Sequence, residues 1–264
     1  MLKNLNNLKY LLYFLFLSIL TLSSSLIIYE KKDSLIDKLT PINNPKNIKS
    51  NLENQEDKDW VKELQKGGYI IFMRHAERDK WLDVGAYDGL EVKILNRSNE
   101  YKRSAANEYY GGAVCLNTRG KIQSKMINEI FDYSKIQFKY ISSSPLCRSQ
   151  QTALAIGEKI DDVTKVLLHS GIDIRNISEW RKKIREYLLD VPIKDNSNTL
   201  ITAHGKMIIK EMFDNQIKNK TDGGPNFKIN EGGFYIISRD GKNLIFNKQF
   251  TNFQDFAKQV FLVE

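Results

Sequence analysis

Hydrophobic and polar positions along the chain change period several times, and each change marks an element. Tyr10 to Tyr29 is an uncharged, almost wholly apolar run, LLYFLFLSILTLSSSLII between two tyrosines. Nothing polar marks a second face, so it does not read as an amphipathic core helix. From Glu30 to Asp59 the chain turns polar, rich in Asn, Lys, Asp and Glu, with Pro41 and Pro45. Such a stretch buries too little to order itself and reads as a tether. Beyond it, Trp60, Val61 and Leu64 have helical spacing, ended by Gly67-Gly68. Tyr69 to Met73 is a continuous apolar run of strand length, the pattern of a strand buried on both faces. Residues 78–115 are polar and read as a long irregular loop. Gly120 to Tyr133 is helical, with Ile122, Met126, Ile127, Ile130 and Phe131 on one stripe. A strand at Phe138–Ser142 and a helix at Arg148–Ile160 follow. Next come a short strand at Val166–Leu168 and a helix at Ile177–Leu189. A buried strand at Thr199–Thr202 leads to a helix around Met207–Phe213. Phe234–Ser238 and Leu244–Phe246 flank Asp240-Gly241, a strong hairpin signal. The alternation predicts an α/β fold: a three-layer sandwich with helices on both faces of a mostly parallel sheet.

Composition narrows the reading. The 264 residues carry 40 Lys+Arg against 32 Asp+Glu, a net charge of +8, with 41% hydrophobic residues and two cysteines. Those proportions exclude whole-chain disorder and a disulfide-built scaffold. The first sixty residues hold 8 Lys+Arg and 7 Asp+Glu, so about +7 belongs to the remainder. Positive charge alone invites nucleic acid, an anionic membrane or an anionic small substrate. No helix-turn-helix, zinc-finger or aromatic RNP pattern accompanies it, so no nucleic-acid partner is expected. Lys3 and Lys9 before the apolar run make residues 1–29 a signal peptide or signal anchor. Twenty helical residues span about 30 Å, enough to stay in a bilayer through residues 10–29 if uncleaved. The expected organisation is therefore 1–29 targeting, 30–59 linker and 60–264 a single catalytic domain. The product is exported, periplasmic or otherwise extracytoplasmic, and possible anchoring to the inner membrane is left open.

The chain has three histidines. His75 and His204 each follow a strand-like run, where open α/β sheets bind ligands. A third strand runs into Ser144-Pro145-Leu146-Cys147-Arg148, where a helix begins. His169 reads more readily as a hydrogen-bonded core residue. Arg74 and Arg148 supply forked, permanently cationic donors that match phosphate oxygens.

These blocks resemble the histidine phosphatase superfamily, with its phosphoglycerate-mutase-like fold. Arg74-His75-Ala76-Glu77 is similar to its RHG/RHA signature, and Leu116-Asn117-Thr118-Arg119-Gly120 to its L-[ST]-x-x-G helix entry, with Asn in place of Ser/Thr. Ser144 to Ala153 resembles the S-x-x-x-R-x-x-Q-T-A block, and Ala203-His204-Gly205 the second-histidine block. The resemblance spans about residues 60–264. With export, it is closest in character to the branch of lipopolysaccharide core heptose phosphatases. It implies catalytic roles for His75, Arg74, Arg148 and His204: His75 as nucleophile, the arginines and His204 gripping phosphate. No cofactor and no metal are implied. Arg78, one helical turn's spacing beyond Arg74, is a further phosphate-binding candidate, with a loop salt bridge as the alternative. The leaving-group acid falls on Asp173, with Glu179, Asp83 or no dedicated acid as rivals. Cys115 and Cys147 either pair or remain small hydrophobes.

The expected activity is a metal-independent phosphomonoesterase acting through phosphohistidine on His75. Its expected partner is a phosphorylated small molecule or envelope glycolipid. The alternatives are a catalytically weak phosphate-binding or envelope-interaction protein, and a phosphoglycerate-mutase-like or phosphohistidine phosphatase activity. Specificity is expected from the loops 78–115 and 214–230.

Overall fold

The computed structural model describes residues 59–82, 84–98, 101–169, 176–217 and 225–262. The targeting segment and nearly all of the linker lie outside these residues, as do Asp83 and Asp173. Among the described residues no helix is long and apolar enough to cross a membrane.

The elements are α1 (Trp60–Lys66), β1 (Ile70–Arg74), α2 (Val84–Ser98), α3 (Tyr101–Ala106) and α4 (Glu108–Val114). They continue with α5 (Thr118–Tyr133), β2 (Phe138–Ser143), α6 (Cys147–Ile156), β3 (Asp162–Val163) and α7 (Ile177–Asp190). Then come β4 (Asn198–Ala203), β5 (Phe234–Asp240), β6 (Asn243–Phe250) and α8 (Phe253–Leu262). One six-stranded sheet has the order β3-β2-β4-β1-β5-β6. β1, β2, β3 and β4 pair in parallel, while β5 and β6 add an antiparallel edge. This is the expected mostly parallel α/β sheet.

Strand periodicity explains the continuous apolar run of β1. Successive side chains point to opposite faces. Ile71 and Met73 join Trp60, Leu64, Ile127, Phe131, Ile156 and Phe256 in the core beneath α1, α5, α6 and α8. Ile70 and Phe72 join Trp180, Ile184 and Leu188 of α7 in the core on the other face. Each such fully buried side chain contributes roughly 1.5–3 kcal/mol of transfer free energy, before the entropy of ordering it. α7 shows how the chain specifies its helices. Asn176 caps it by accepting from the Glu179 N–H at 3.1 Å, and Trp180, Ile184 and Leu188 recur at the four-residue spacing of one helical face.

The structure departs from the sequence expectations in several places. Val84–Ser98, Tyr101–Ala106 and Glu108–Val114 are helices, not irregular loop. The buried face of α2 carries Asp88 and Glu91 as well as Val92 and Leu95, so charge interrupts the apolar stripe that would announce a helix. The short strand is Asp162–Val163, beside Ser142 and Ser143; Lys165–Leu167 is a 3-10 turn capped by the Thr164 hydroxyl. After His204-Gly205 the chain takes a left-handed step at Lys206, φ +65°, and only Lys210–Met212 coils, as a 3-10 turn. The helix from Arg148 ends at Ile156, where Gly157 turns extended with its N–H on the Ala153 carbonyl; a Cβ at Gly157 would come within 2.1 Å of Ile141.

Candidate active site

Three adjacent parallel strands deliver the site. β4 lies between β2 and β1, and their carboxyl ends stay hydrogen-bonded past the last paired residues. His75 N–H donates to the Ala203 carbonyl at 3.0 Å, and Ser144 N–H to that of Thr202 at 2.9 Å. His75 and His204 therefore leave neighbouring strands at the same level. Their ring centroids are 5.4 Å apart.

The motif residues around them have local tasks. The Thr152 hydroxyl donates to the Arg148 carbonyl at 2.8 Å and accepts from Ala76 N–H at 2.9 Å, tying α6 to the histidine loop. Gln151 accepts from Leu116 N–H at 2.8 Å. Asn117 caps α5 through Gly120 N–H at 2.7 Å, doing the work expected of Ser or Thr. Gly120 has no substitute: a Cβ there would lie 1.9 Å from the Glu77 carbonyl oxygen.

His75 is buried, and its Nδ1 lies 2.8 Å from the Ala76 carbonyl. A carbonyl only accepts, so Nδ1 carries the proton and Nε2 the lone pair. Arg148 Nε donates to that Nε2 at 3.2 Å. Burial, followed by the charge of Arg148, holds the His75 pKa well below 6.5, keeping the imidazole neutral. His204 is held neutral by the same two causes in the same order. Its Nδ1 faces Arg148 Nη2 at 3.5 Å, and its Nε2 donates to Ser144 Oγ at 2.9 Å.

Arg148 is sealed in, with 1% of its surface exposed. Asp88 of α2 faces it bidentately, at 2.8 Å from Nη1 and 3.2 Å from Nη2. Burial lowers the Arg148 pKa to about 10, so it stays a cation. Arg78 grips the same carboxylate from Nη1 at 3.1 Å and Nη2 at 3.2 Å. His169 Nε2 reaches it at 2.9 Å. Burial opposes ionisation of Asp88, but the His169 hydrogen bond and the two guanidinium charges outweigh it and hold the carboxyl far below its usual range. Glu91, one turn along α2, behaves oppositely. Its Oε1 accepts from Cys147 N–H at 2.6 Å, at the start of α6. Oε2 is buried without a hydrogen bond, 3.7 Å from Arg148 Nη1. Burial raises its pKa to about 7 against the pull of Arg148.

The structure thus gathers His75, Arg148, His204 and Arg78 into one cluster. Arg74 sits under Gly205, but its head turns to Glu231 at 3.1 Å and the Ile229 carbonyl at 3.2 Å. It lines an open cleft of about 230 Å³ with Lys80, Gln123, Glu231 and Asn252. Glu179 lies on the exposed face of α7 against Lys183. Asp173 is outside the described residues. Sequence reasoning missed Asp88 and Glu91 and set His169 aside as a core histidine. His169 is hydrogen-bonded, as expected, but to the carboxylate of the cluster, and its ring lies 5.0 Å from that of His204. Cys115 and Cys147 form a disulfide, joining the end of α4 to the first residue of α6.

No family model matches the chain, and no curated protein matches its sequence. Solved structures do. The protein histidine phosphatase SixA complexed with tungstate is 16% identical, with a TM-score of 0.42, covering 69% of this chain and 96% of that one. A phosphoserine phosphatase from Entamoeba histolytica in complex with 3-phosphoglyceric acid is 14% identical, TM-score 0.38, over 69% and 95%. A mycobacterial glucosyl-3-phosphoglycerate phosphatase is 13% identical, TM-score 0.40, over 70% and 98%. All three of these neighbours are phosphatases.

Proposed function

We propose that this chain is an exported phosphomonoesterase acting through a phosphohistidine on His75. The observation that carries the reading is the tautomer of His75: Nδ1–H fixed on the Ala76 carbonyl, and the Nε2 lone pair aimed at Arg148 beside His204. Nε2 forms the N–P bond as the P–O bond to the leaving group breaks. Water then attacks phosphorus and gives up a proton to the carboxylate that protonated the leaving group, the N–P bond breaks, and its electron pair returns to Nε2. Arg148 and Arg78 balance the phosphoryl oxygens, which is where catalysis of this transfer chiefly lies. Arg74 adds a third guanidinium once it leaves Glu231. His204, protonated at Nδ1 beside a bound dianion, donates to the transferring group. Asp173 supplies the leaving-group proton. Each of these steps uses side chains and water alone.

The two cysteines support export, since disulfides persist in oxidising compartments, and so does the apolar run behind Lys3 and Lys9. Among substrates, an envelope glycolipid phosphate or a phosphorylated small molecule fits that side of the membrane. The rival reading, a phosphate-binding protein without turnover, draws on the complete engagement of Arg148 by protein groups.

The test uses the full chain with an aryl and an alkyl phosphomonoester. We expect turnover of both, a trapped phosphoenzyme at acid quench, and loss of both signals in His75→Ala. Phosphate binding without turnover of either ester selects the rival. Asp173→Asn is expected to slow the alkyl ester by roughly 10²-fold or more and the aryl ester far less.

A further inference from the structure

Arg148 has five N–H groups, and protein atoms face all of them. Nε is on His75. Nη1 is shared by Asp88 Oδ1 and the Val114 carbonyl, the latter at 3.4 Å, and Nη2 by Asp88 Oδ2 and His204 Nδ1. None is left for a phosphate oxygen. The lone pair of the nucleophile is taken by the same guanidinium. Asp88 is equally saturated: four guanidinium contacts and one imidazole contact meet its two oxygens. A flat oxyanion held by two arginine forks and a histidine is the geometry of a bound phosphate edge. Here the oxyanion is a side chain of α2. His75, Asp88, Arg148 and His204 are all at least 96% buried, so no phosphoryl group reaches Nε2 while α2 stays seated.

We propose that Asp88 occupies the phosphoryl-binding position of the resting protein, and that a substrate is admitted only by displacing it. The proposal rests on the phosphatase reading and adds its selectivity. Asp88 brings one negative charge to Arg78, Arg148 and His169. A phosphomonoester dianion brings two to the same donors and wins the exchange. A phosphodiester, with one, gains nothing over the carboxylate it replaces. Asp88 thereby selects monoesters over diesters by charge. α2 is held in its seat by few groups, among them Val92 and Leu95 packed on Leu146. Glu91 caps α6 from it through Cys147 N–H, and Tyr110 reaches it by donating to the Tyr87 carbonyl at 3.1 Å. The Cys115–Cys147 bridge holds the far end of the α2–α4 segment on α6.

The experiment compares full-length wild type with Asp88→Asn, which keeps shape and removes charge. The probes are inorganic phosphate at pH 8 and dimethyl phosphate, with binding followed by calorimetry. Phosphate is expected to bind Asp88→Asn about tenfold more tightly, and KM for an aryl phosphate to fall in parallel. The monoanionic diester, inert towards wild type, is expected to become a measurable ligand. Unchanged or weaker phosphate binding by a folded Asp88→Asn overturns the proposal. Should that variant not fold, hydrogen exchange of wild type decides. Saturating phosphate is expected to speed exchange in residues 85–95, and slower or unchanged exchange there overturns the proposal. Turnover by wild type with weaker binding by Asp88→Asn sinks this inference and leaves the phosphatase standing. Tighter binding by the variant with no turnover by wild type does the reverse.

Discussion

Arg74 and Arg148 are the same residue type at equivalent ends of the sheet, each facing one carboxylate at close to 3 Å, yet they belong to different electrostatic worlds. Arg74 meets Glu231 at the rim of an open cleft, with about a quarter of its side chain exposed. Arg148 meets Asp88 with 1% exposed on each side. Water screens the first pair, so its worth is small. The second has lost its hydration, and only the network of Arg78, His169, His75 and His204 compensates. Contact distance says nothing about this difference; burial decides it. The open arginine is free to turn to a ligand, while the sealed one has to be released.

The largest expected effect follows from removing the sealed cation. Arg148→Met leaves Asp88 to Arg78 and His169 alone, and leaves Glu91 with no cation at 3.7 Å. Breaking a buried pair on one side costs about 3–5 kcal/mol. Urea denaturation is expected to show a loss in that range, with an unchanged m-value. A loss under 1 kcal/mol would mean that water reaches the cluster and that the two arginines are alike after all.

The contrast between the two regions also explains what the sequence disclosed. β1, β2 and β4 are legible because both their faces meet apolar layers, so Ile70 to Met73 and Thr199 to Thr202 need no partner to be recognised. His75, Arg148 and His204 are legible because strand ends announce them. Asp88 and Glu91 are not. They lie inside a helix whose buried face is charged and which carries Gly85 and Gly89, residues that weaken any helical reading. A buried carboxylate looks like a surface one until its donors are in view, and those donors come from positions 78, 148 and 169. α8 escaped for a simpler reason. Phe253, Phe256 and Val260 do recur on one face, but within a helix of only ten residues.

The second effect is sharper in sign than in size. Asp88 and Glu91, one turn apart, are driven in opposite directions. The Glu91 pKa is raised from 4.5 to about 7, so between those values the folded protein holds a proton that the unfolded chain has lost. Stability then falls as pH rises. The contribution is complete below about pH 4.5 and gone above about pH 7, a span worth about 3 kcal/mol. Asp88 contributes the other way: its stabilisation is present above the ordinary aspartate range and lost on acidification. Glu91→Gln is expected to flatten the stability profile between pH 4.5 and 7 while leaving the acid-side loss intact. Parallel profiles for the two proteins across that window would place Glu91 in contact with solvent.

The smallest effect belongs to the open arginine, and it tests the comparison from its other end. Arg74→Met removes a guanidinium that donates to Glu231 and to the Ile229 carbonyl, both within reach of water through the cleft. Once the arginine is gone, Glu231 regains hydration instead of standing as an unpaired buried charge. Pairs that water still reaches contribute about 0.2–1 kcal/mol, this one being a quarter exposed at Arg74 and less at Glu231, and the packing of the side chain against Gly205 is largely kept by methionine. The melting profile is therefore expected to move little. Phosphate affinity is expected to fall about tenfold, since one guanidinium leaves the anion's surroundings. A stability loss as large as that of Arg148→Met would show that Glu231 is dry and that the cleft beside it is closed in solution. Affinity unchanged with stability unchanged would instead confine phosphate recognition to the sealed side, to Arg78, Arg148 and the two histidines at the strand ends.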